Sequence, residues 1–291
     1  MVARKATVGR SQWHPCCSLS GVRTISSWAI AWIVGAGLAA GPPDAVSGVH
    51  FRFEPRPPGS LHDVTRFSAA QRALLEKLNR TDLGHLARVE YLVIPDTWEL
   101  DERAYGPFPT DYPPARDHPQ LLLVHVPGQA FAAYESGQLV RWGPVSTGAP
   151  SSPTPPGRFT LTWRSVGRAS SVNPAWYLRW YFNFEPHRGL AFHQYVLPGR
   201  PASHGCIRLL EVDARWLFAW GLPSVAATEA SDAPPVGTVV LIVGTYDFDG
   251  QPPWLDATWL RGSAALPGRL PIGDESKGAP QEAWRAGSLL Y

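Results

Sequence analysis

Beyond residue 40 of this 291-residue chain there is a single cysteine, Cys206, preceded directly by Ser203, His204 and Gly205. A lone thiol cannot close an internal disulfide, so it is either an inert buried group or a free reactive one. A free thiol titrates near about 8.5 and needs a base or positive surroundings to act as a nucleophile at neutral pH. His193, thirteen residues upstream, is such a base. Its imidazole can take the thiol proton and later return it to a leaving amine. Gly205 lacks a side chain, so its amide and that of Cys206 can approach the oxygen of a tetrahedral intermediate, where one donor typically contributes about 3 kcal/mol. Ser203 and His204 read as residues that brace this loop or orient His193. The chemistry these residues suit is acyl transfer through a thioester.

The elements that must position them are strands and tight loops. Within LAFHQYVLPGRPASHGCIRLL, residues 190–210, a strand delivers His193, a Pro/Gly loop turns the chain back, and SHGC presents Cys206. Pro and Gly are plentiful, at 30 and 27 residues, and there is one Met, which favours strands and turns over helical bundles. Residues 120–126, 130–134 and 139–145 read as a meander of short antiparallel strands. Residues 157–163, 180–184, 190–195 and 238–243 add further strands. Residues 212–220, stopped by Gly221, read as one helix packed on the sheet.

Upstream, residues 1–40 carry Arg4, Lys5, Arg10 and Arg23 with no acid, then an apolar run from Trp28 to Ala40. That run is short of the roughly 20 residues of a comfortable membrane span. It reads as a cleaved secretory signal, with an uncleaved membrane anchor as the alternative; no paired arginine or following cysteine supports twin-arginine export or lipidation. Residues 41–66, rich in Pro, Gly and charge, read as a tether. Residues 67–118 read as a small α+β segment. Ser68 and Gln71 make a capping box for a helix ending near Asn79, and Tyr91 to Ile94 is a strand stopped by Pro95. The order helix, polar turn, DL, spacer, LVIP resembles the second half of a LysM-type wall-binding module. Prolines across 100–119 predict a boundary loop, and residues 245–291 a partly ordered tail.

FH, a loop and then SHGCIRL resembles the signature of the L,D-transpeptidase (YkuD-type) family. GQLVRWGPVSTGAPSSPTPPGRFTL, residues 137–161, is similar to that family's V-S-T-G turn and T-P-x-G loop, and GTVVLIV, residues 237–243, resembles its closing strand. The likeness spans about 120–244, within an expected catalytic domain at 119–244. It implies a mainly β, sandwich-like catalytic domain with one or two helices, and acyl transfer on peptidoglycan stem peptides. Carried over, Cys206 attacks the carbonyl between the third residue, commonly diaminopimelate, and the terminal D-alanine. His193 is the base, His204, Gly205 and Cys206 form the oxyanion loop, and Arg208 binds a substrate carboxylate. An amine of a second stem then resolves the thioester and cross-links the wall. Two features depart from the family pattern. Gln194 follows His193 where Gly or Ser is usual, and residues 164–175 carry no recognisable lid sequence.

The resemblance implies an exported location in the periplasm or envelope, and no metal or organic cofactor. No His, Cys and carboxylate grouping has metal-ligand spacing. Past residue 40 the chain has 22 bases against 24 acids, which gives no electrostatic reason to expect nucleic acid as a partner. Two other functions stand beside acyl transfer: a carboxypeptidase or other peptidoglycan hydrolase in which water replaces the amine, and a non-catalytic wall-binding protein, against which the intact His193 and Cys206 argue. A papain-like plan would place the nucleophile before its histidine, the reverse of the order here.

Overall fold

The computed structural model describes residues 49–98, 101–224, 237–259 and 264–271, all within the unit Val46–Tyr291. The expected signal or anchor at 1–40 lies outside them. Along the chain run β1 (Phe51–Pro55), α1 (Ala69–Leu78), α2 (Leu83–Leu86), β2 (Tyr91–Pro95), β3 (Leu121–His125), β4 (Ala130–Glu135), β5 (Gln138–Ser146) and β6 (Gly157–Thr160). Then follow β7 (Arg164–Ala169), β8 (Tyr177–Glu185), β9 (Leu190–Gln194), β10 (Ile207–Leu209), α3 (Glu211–Trp220) and β11 (Val239–Val243). The protein is thus mainly β, as expected.

Nine of these strands form one sheet in the order β6-β11-β3-β4-β5-β10-β9-β8-β7. The segment from β6 to β7 belongs to both ends of it. β6 pairs with β11, and the Leu161 amide still donates to Thr238; then Thr162 donates to the Asn183 carbonyl at 2.8 Å and β7 pairs with β8. One stretch of chain therefore joins the two ends and curls the sheet into a sandwich, as strands that switch sheets do at corners.

Alternation along the strands divides the interior in two. Leu122, Val124, Phe131, Ala133, Val240 and Ile242 face inward onto Phe182, Phe184, Phe192, Ile207 and Leu209, and α3 adds Ala214 and Leu217. Leu121, Leu123, Ala132, Tyr134, Trp142 and Leu241 face the opposite way and are covered by α1 and flanking segments. Burial on both faces explains why β3 and β11 read as nearly continuous apolar runs. α3 ends at Gly221, where a Cβ would come within 2.6 Å of Leu161. Arg164 donates to the carbonyls of Phe218 and Gly221 there, a favourable place for a cation.

The upstream segment has more order than its composition suggested. Within 41–66, expected as a tether, residues Phe51–Pro55 instead pair antiparallel with β2. Phe51 and Phe53 pack on the outer core, a period-two signal outweighed in the sequence by neighbouring Pro and Gly. α1 carries the expected capping box between Ser68 and Gln71 and ends at Asn79. Residues 101–119 contain two short 3-10 turns, and Tyr105, Phe108 and Tyr112 from this stretch are buried on the outer face beside Trp142. Trp254 and Ala264 join the same core. Among the described residues no helix is long and apolar enough to cross a membrane.

Candidate active site

β9 and β10 are parallel neighbours, and their register sets Arg208 directly opposite His193. Cys206 sits one residue before β10, with its sulfur 3.9 Å from the Gly189 carbonyl. A cleft of about 430 Å³ opens over these strands and is lined by His193, Cys206, Arg208, Ser203 and His204. Its opposite wall is the β7–β8 hairpin, which contributes Arg168, Trp176 and Tyr181. Trp176 packs its ring 5.4 Å from that of His204. Residues 164–175, without a recognisable lid sequence, therefore still form a wall over the site.

His193 is buried, and its Nδ1 lies 3.0 Å from the Gln194 carbonyl. A carbonyl only accepts, so Nδ1 carries the proton and Nε2 is left as the basic nitrogen. The departure from Gly or Ser at position 194 leaves this interaction in place, because it uses backbone alone. Burial, with a smaller contribution from Arg208, lowers the His193 pKa to about 4 despite the opposing Gln194 bond, so the imidazole is neutral at pH 7. Burial pushes the Cys206 thiol up, while the Ala191 amide, Arg208 and Arg168 pull it down. The resting pair is thus a neutral thiol and a neutral imidazole.

The loop that carries Cys206 is held from several directions. Gly205 has φ +101°, where a Cβ would also meet Leu190 at 3.0 Å, so glycine fits this position and side-chain residues do not. The Ser203 hydroxyl donates to the Cys206 carbonyl at 2.5 Å and accepts from the Gly205 amide at 3.1 Å. The V-S-T-G turn supplies the next layer: Ala202 and Ser203 donate to the Thr147 carbonyl, and Ala149 donates back to Ser203. From the T-P-x-G loop, Thr154 donates to the Gly205 carbonyl at 2.9 Å and accepts from Gly148. Gly148 is required by the crowding, since a Cβ there would lie 2.1 Å from the Ser152 carbonyl oxygen.

A further anchor comes from outside this domain. Leu197, in the loop between His193 and Cys206, accepts at its carbonyl from the Thr81 hydroxyl at 2.8 Å and from the Asp82 amide at 3.0 Å. Its own amide donates to the Asp82 carboxylate at 2.7 Å.

The sequence-selected residues thus converge: His193, Ser203, His204, Cys206 and Arg208 line one cleft, and Gly205 lies beneath it, buried. Sequence reading missed Arg168 and Asn183, which line the same cleft. Nothing in the spacing of 164–183 marks them, because their side chains meet the site only through strand pairing. It also missed Thr81 and Asp82, more than a hundred residues away from the loop they hold. Among the described residues, no three His, Cys, Asp or Glu side chains come together as metal ligands would.

Residues 119–242 match the family described as YkuD, L,D-transpeptidase catalytic domain. That segment holds the curled sheet and most of the cleft. Solved structures similar to this chain include LD transpeptidase LdtMt1 in complex with imipenem, at 22% identity over 43% of this chain and 59% of that one, with a TM-score of 0.35. An L,D-transpeptidase from Mycobacterium smegmatis matches at 19% identity over 43% and 59%, also with a TM-score of 0.35. One from Stackebrandtia nassauensis matches at 23% identity over 44% and 56%, again at 0.35. The chain therefore spans less than two thirds of the length of each. No curated protein matches it.

Proposed function

We propose that this protein is an envelope L,D-transpeptidase that uses Cys206 to transfer an acyl group between peptidoglycan stem peptides. The observation that carries the reading is the placement of Cys206, directly before β10, and of His193, on the parallel neighbour β9, in one cleft, with Nδ1 of His193 held by the Gln194 carbonyl. Nε2 takes the thiol proton as sulfur attacks the carbonyl between the third residue of a tetrapeptide stem and its terminal D-alanine. The oxyanion is received by the Cys206 amide, whose loop is held in place by the bond from the Gly205 amide to Ser203. The imidazolium then protonates the departing D-alanine amine, the C–N bond breaks, and a thioester remains on Cys206. An amine of a second stem gives a proton to His193, attacks the thioester and restores the thiol, leaving an amide cross-link. Every proton removed is returned, so the cycle needs no cofactor.

The family match at residues 119–242 supports this reading. A wall substrate places the domain outside the cytoplasmic membrane, in keeping with residues 1–40 as a signal or anchor. Mass spectrometry of the full chain and of Cys206→Ala with purified disaccharide-tetrapeptide tests it. Loss of D-alanine together with a dimeric product, in the wild type alone, is expected. Loss of D-alanine without dimer would make the enzyme a carboxypeptidase, and neither event would remove the enzymatic reading.

A further inference from the structure

Several arginines of this protein are committed to ion pairs. Arg66, Arg103, Arg116, Arg141 and Arg179 each pair with a carboxylate, on Glu54, Asp101, Asp111, Asp213 and Glu211. Arg168 and Arg208 form no ion pair among the described residues. Both line the cleft, as does Arg188, and no Asp or Glu lines it with them. Arg168 and Arg208 are instead laid on aromatic rings. The Arg208 guanidinium lies 4.8 Å from the Tyr195 ring centre, and that of Arg168 lies 5.2 Å from Trp163 and 5.1 Å from Tyr181. Such stacking fixes the plane of a guanidinium; Nε of Arg168 donates to the Ala169 carbonyl at 3.3 Å and Nη1 of Arg208 to the Val196 carbonyl at 3.5 Å, so an anion would be met by the remaining N–H groups.

The two stand on different sides of the thiol. Arg208 is the register partner of His193. Arg168 lies on Tyr181, whose hydroxyl donates to the Gly189 carbonyl at 3.1 Å; the Cys206 sulfur approaches that same carbonyl at 3.9 Å. The leaving amine must reach His193 to be protonated, and the carboxylate of D-alanine is one carbon away from that amine. Arg208 is therefore the partner for the leaving group's carboxylate. The acyl portion, which stays on sulfur, extends toward the Tyr181 side.

Building on the acyl-transfer reading, we infer that Arg168 is a specificity residue that binds a second carboxylate, carried on the side chain of the donor's third residue. The donor class it selects is a stem whose third residue is a diamino acid ending in a free carboxylate, in preference to one whose carboxylate is amidated. A charge-assisted bidentate contact of this kind discriminates by about tenfold or more.

The test compares two disaccharide-tetrapeptide donors, identical except that the third-residue side-chain carboxylate is free in one and amidated in the other. D-Alanine release by the full chain is followed for wild type, Arg168→Gln and Arg168→Lys. The wild type is expected to favour the free carboxylate by about tenfold or more in kcat/KM. Arg168→Gln should bring the ratio of the two donors close to one, and Arg168→Lys should recover part of it. Arg168→Gln slowing both donors equally would reduce Arg168 to a brace for the hairpin and overturn the inference. A wild-type ratio near one, with turnover intact, would overturn it while leaving the transpeptidase reading standing. Absence of turnover on either donor, with no carbapenem adduct on Cys206, would sink both.

Discussion

Thr154 and Gly205 are joined by a hydrogen bond of 2.9 Å from the threonine hydroxyl to the glycine carbonyl, and the same hydroxyl accepts the Gly148 amide. One buried side chain thereby ties the T-P-x-G loop, the V-S-T-G turn and the cysteine loop together. Thr154→Val keeps the shape and leaves a buried amide and carbonyl unpaired, a loss of about 1–3 kcal/mol. We expect a lower urea midpoint and slower acylation of Cys206, with Thr154→Ser restoring both. An unchanged midpoint in the valine variant would mean that water replaces the hydroxyl.

Gly205→Ala should separate activity from folding. Its φ of +101° and the 3.0 Å contact with Leu190 give a stability cost of about 1–2 kcal/mol. The Gly205 amide would lose its bond to Ser203 and the Cys206 amide would turn away from the oxyanion position, so acylation by a donor should fall by about a hundredfold or more. Rates measured on samples shown by circular dichroism to be folded would check this. Retention of near wild-type rate would remove the Cys206 amide from the oxyanion role.

Two buried histidines make the fold acid-sensitive. Burial holds both His125 and His193 at a pKa of about 4, below the ordinary value near about 6.5 that they regain on unfolding. Their contribution to stability is complete above the unfolded value and is lost as pH falls toward the folded one, because the unfolded chain then binds protons that the native state refuses. Each costs up to about 1.4 kcal/mol per pH unit in that window. Urea midpoints should therefore drop between pH 7 and pH 5. A flat profile there would contradict the assignment of two neutral imidazoles.

Arg80 is fully buried, and burial lowers its pKa to about 9, so it keeps its charge at neutral pH. It donates to the carbonyls of Gly128 and Lys77 and lies within 6 Å of the rings of Trp142, Trp254 and Trp259. Arg80→Ala empties this cage and strips two carbonyls, with an expected loss of about 3–5 kcal/mol. Arg80→Met, which refills the space, should lose less. Equal midpoints for the two variants would assign the whole effect to the lost hydrogen bonds.

Much of the sheet was legible because β3, β4, β5, β8, β9 and β11 are rich in apolar residues and bounded by turns. α3 was legible from its aromatic run and Gly221, although it begins at Glu211, where the preceding Leu210 supplies no side-chain cap. β7 was not legible: RSVGRA has one large apolar residue, Val166, and that side chain is exposed, so pairing with β8 is its organising force. β10 is three residues long and could not be separated from the motif that precedes it. The candidate pair Cys206 and His193 was readable from residue type and order, and the structure brings both to one cleft. Arg168 was hidden because a residue on a polar hairpin acquires meaning only from what the hairpin is folded against.

The contacts between Leu197 and the Thr81–Asp82 turn bear on how such a protein can be rearranged by evolution or by hand. Sequence similarity marks out residues 119–242 as a unit of inheritance, yet the spacer between its histidine and its cysteine is held by side chains encoded upstream of that unit. A gene fragment spanning only the inherited unit would carry every candidate catalytic residue and leave the spacer's polar backbone to water. Units of descent and units of mechanical support are therefore not the same here, and transplanting this domain would require carrying the Thr81–Asp82 turn with it.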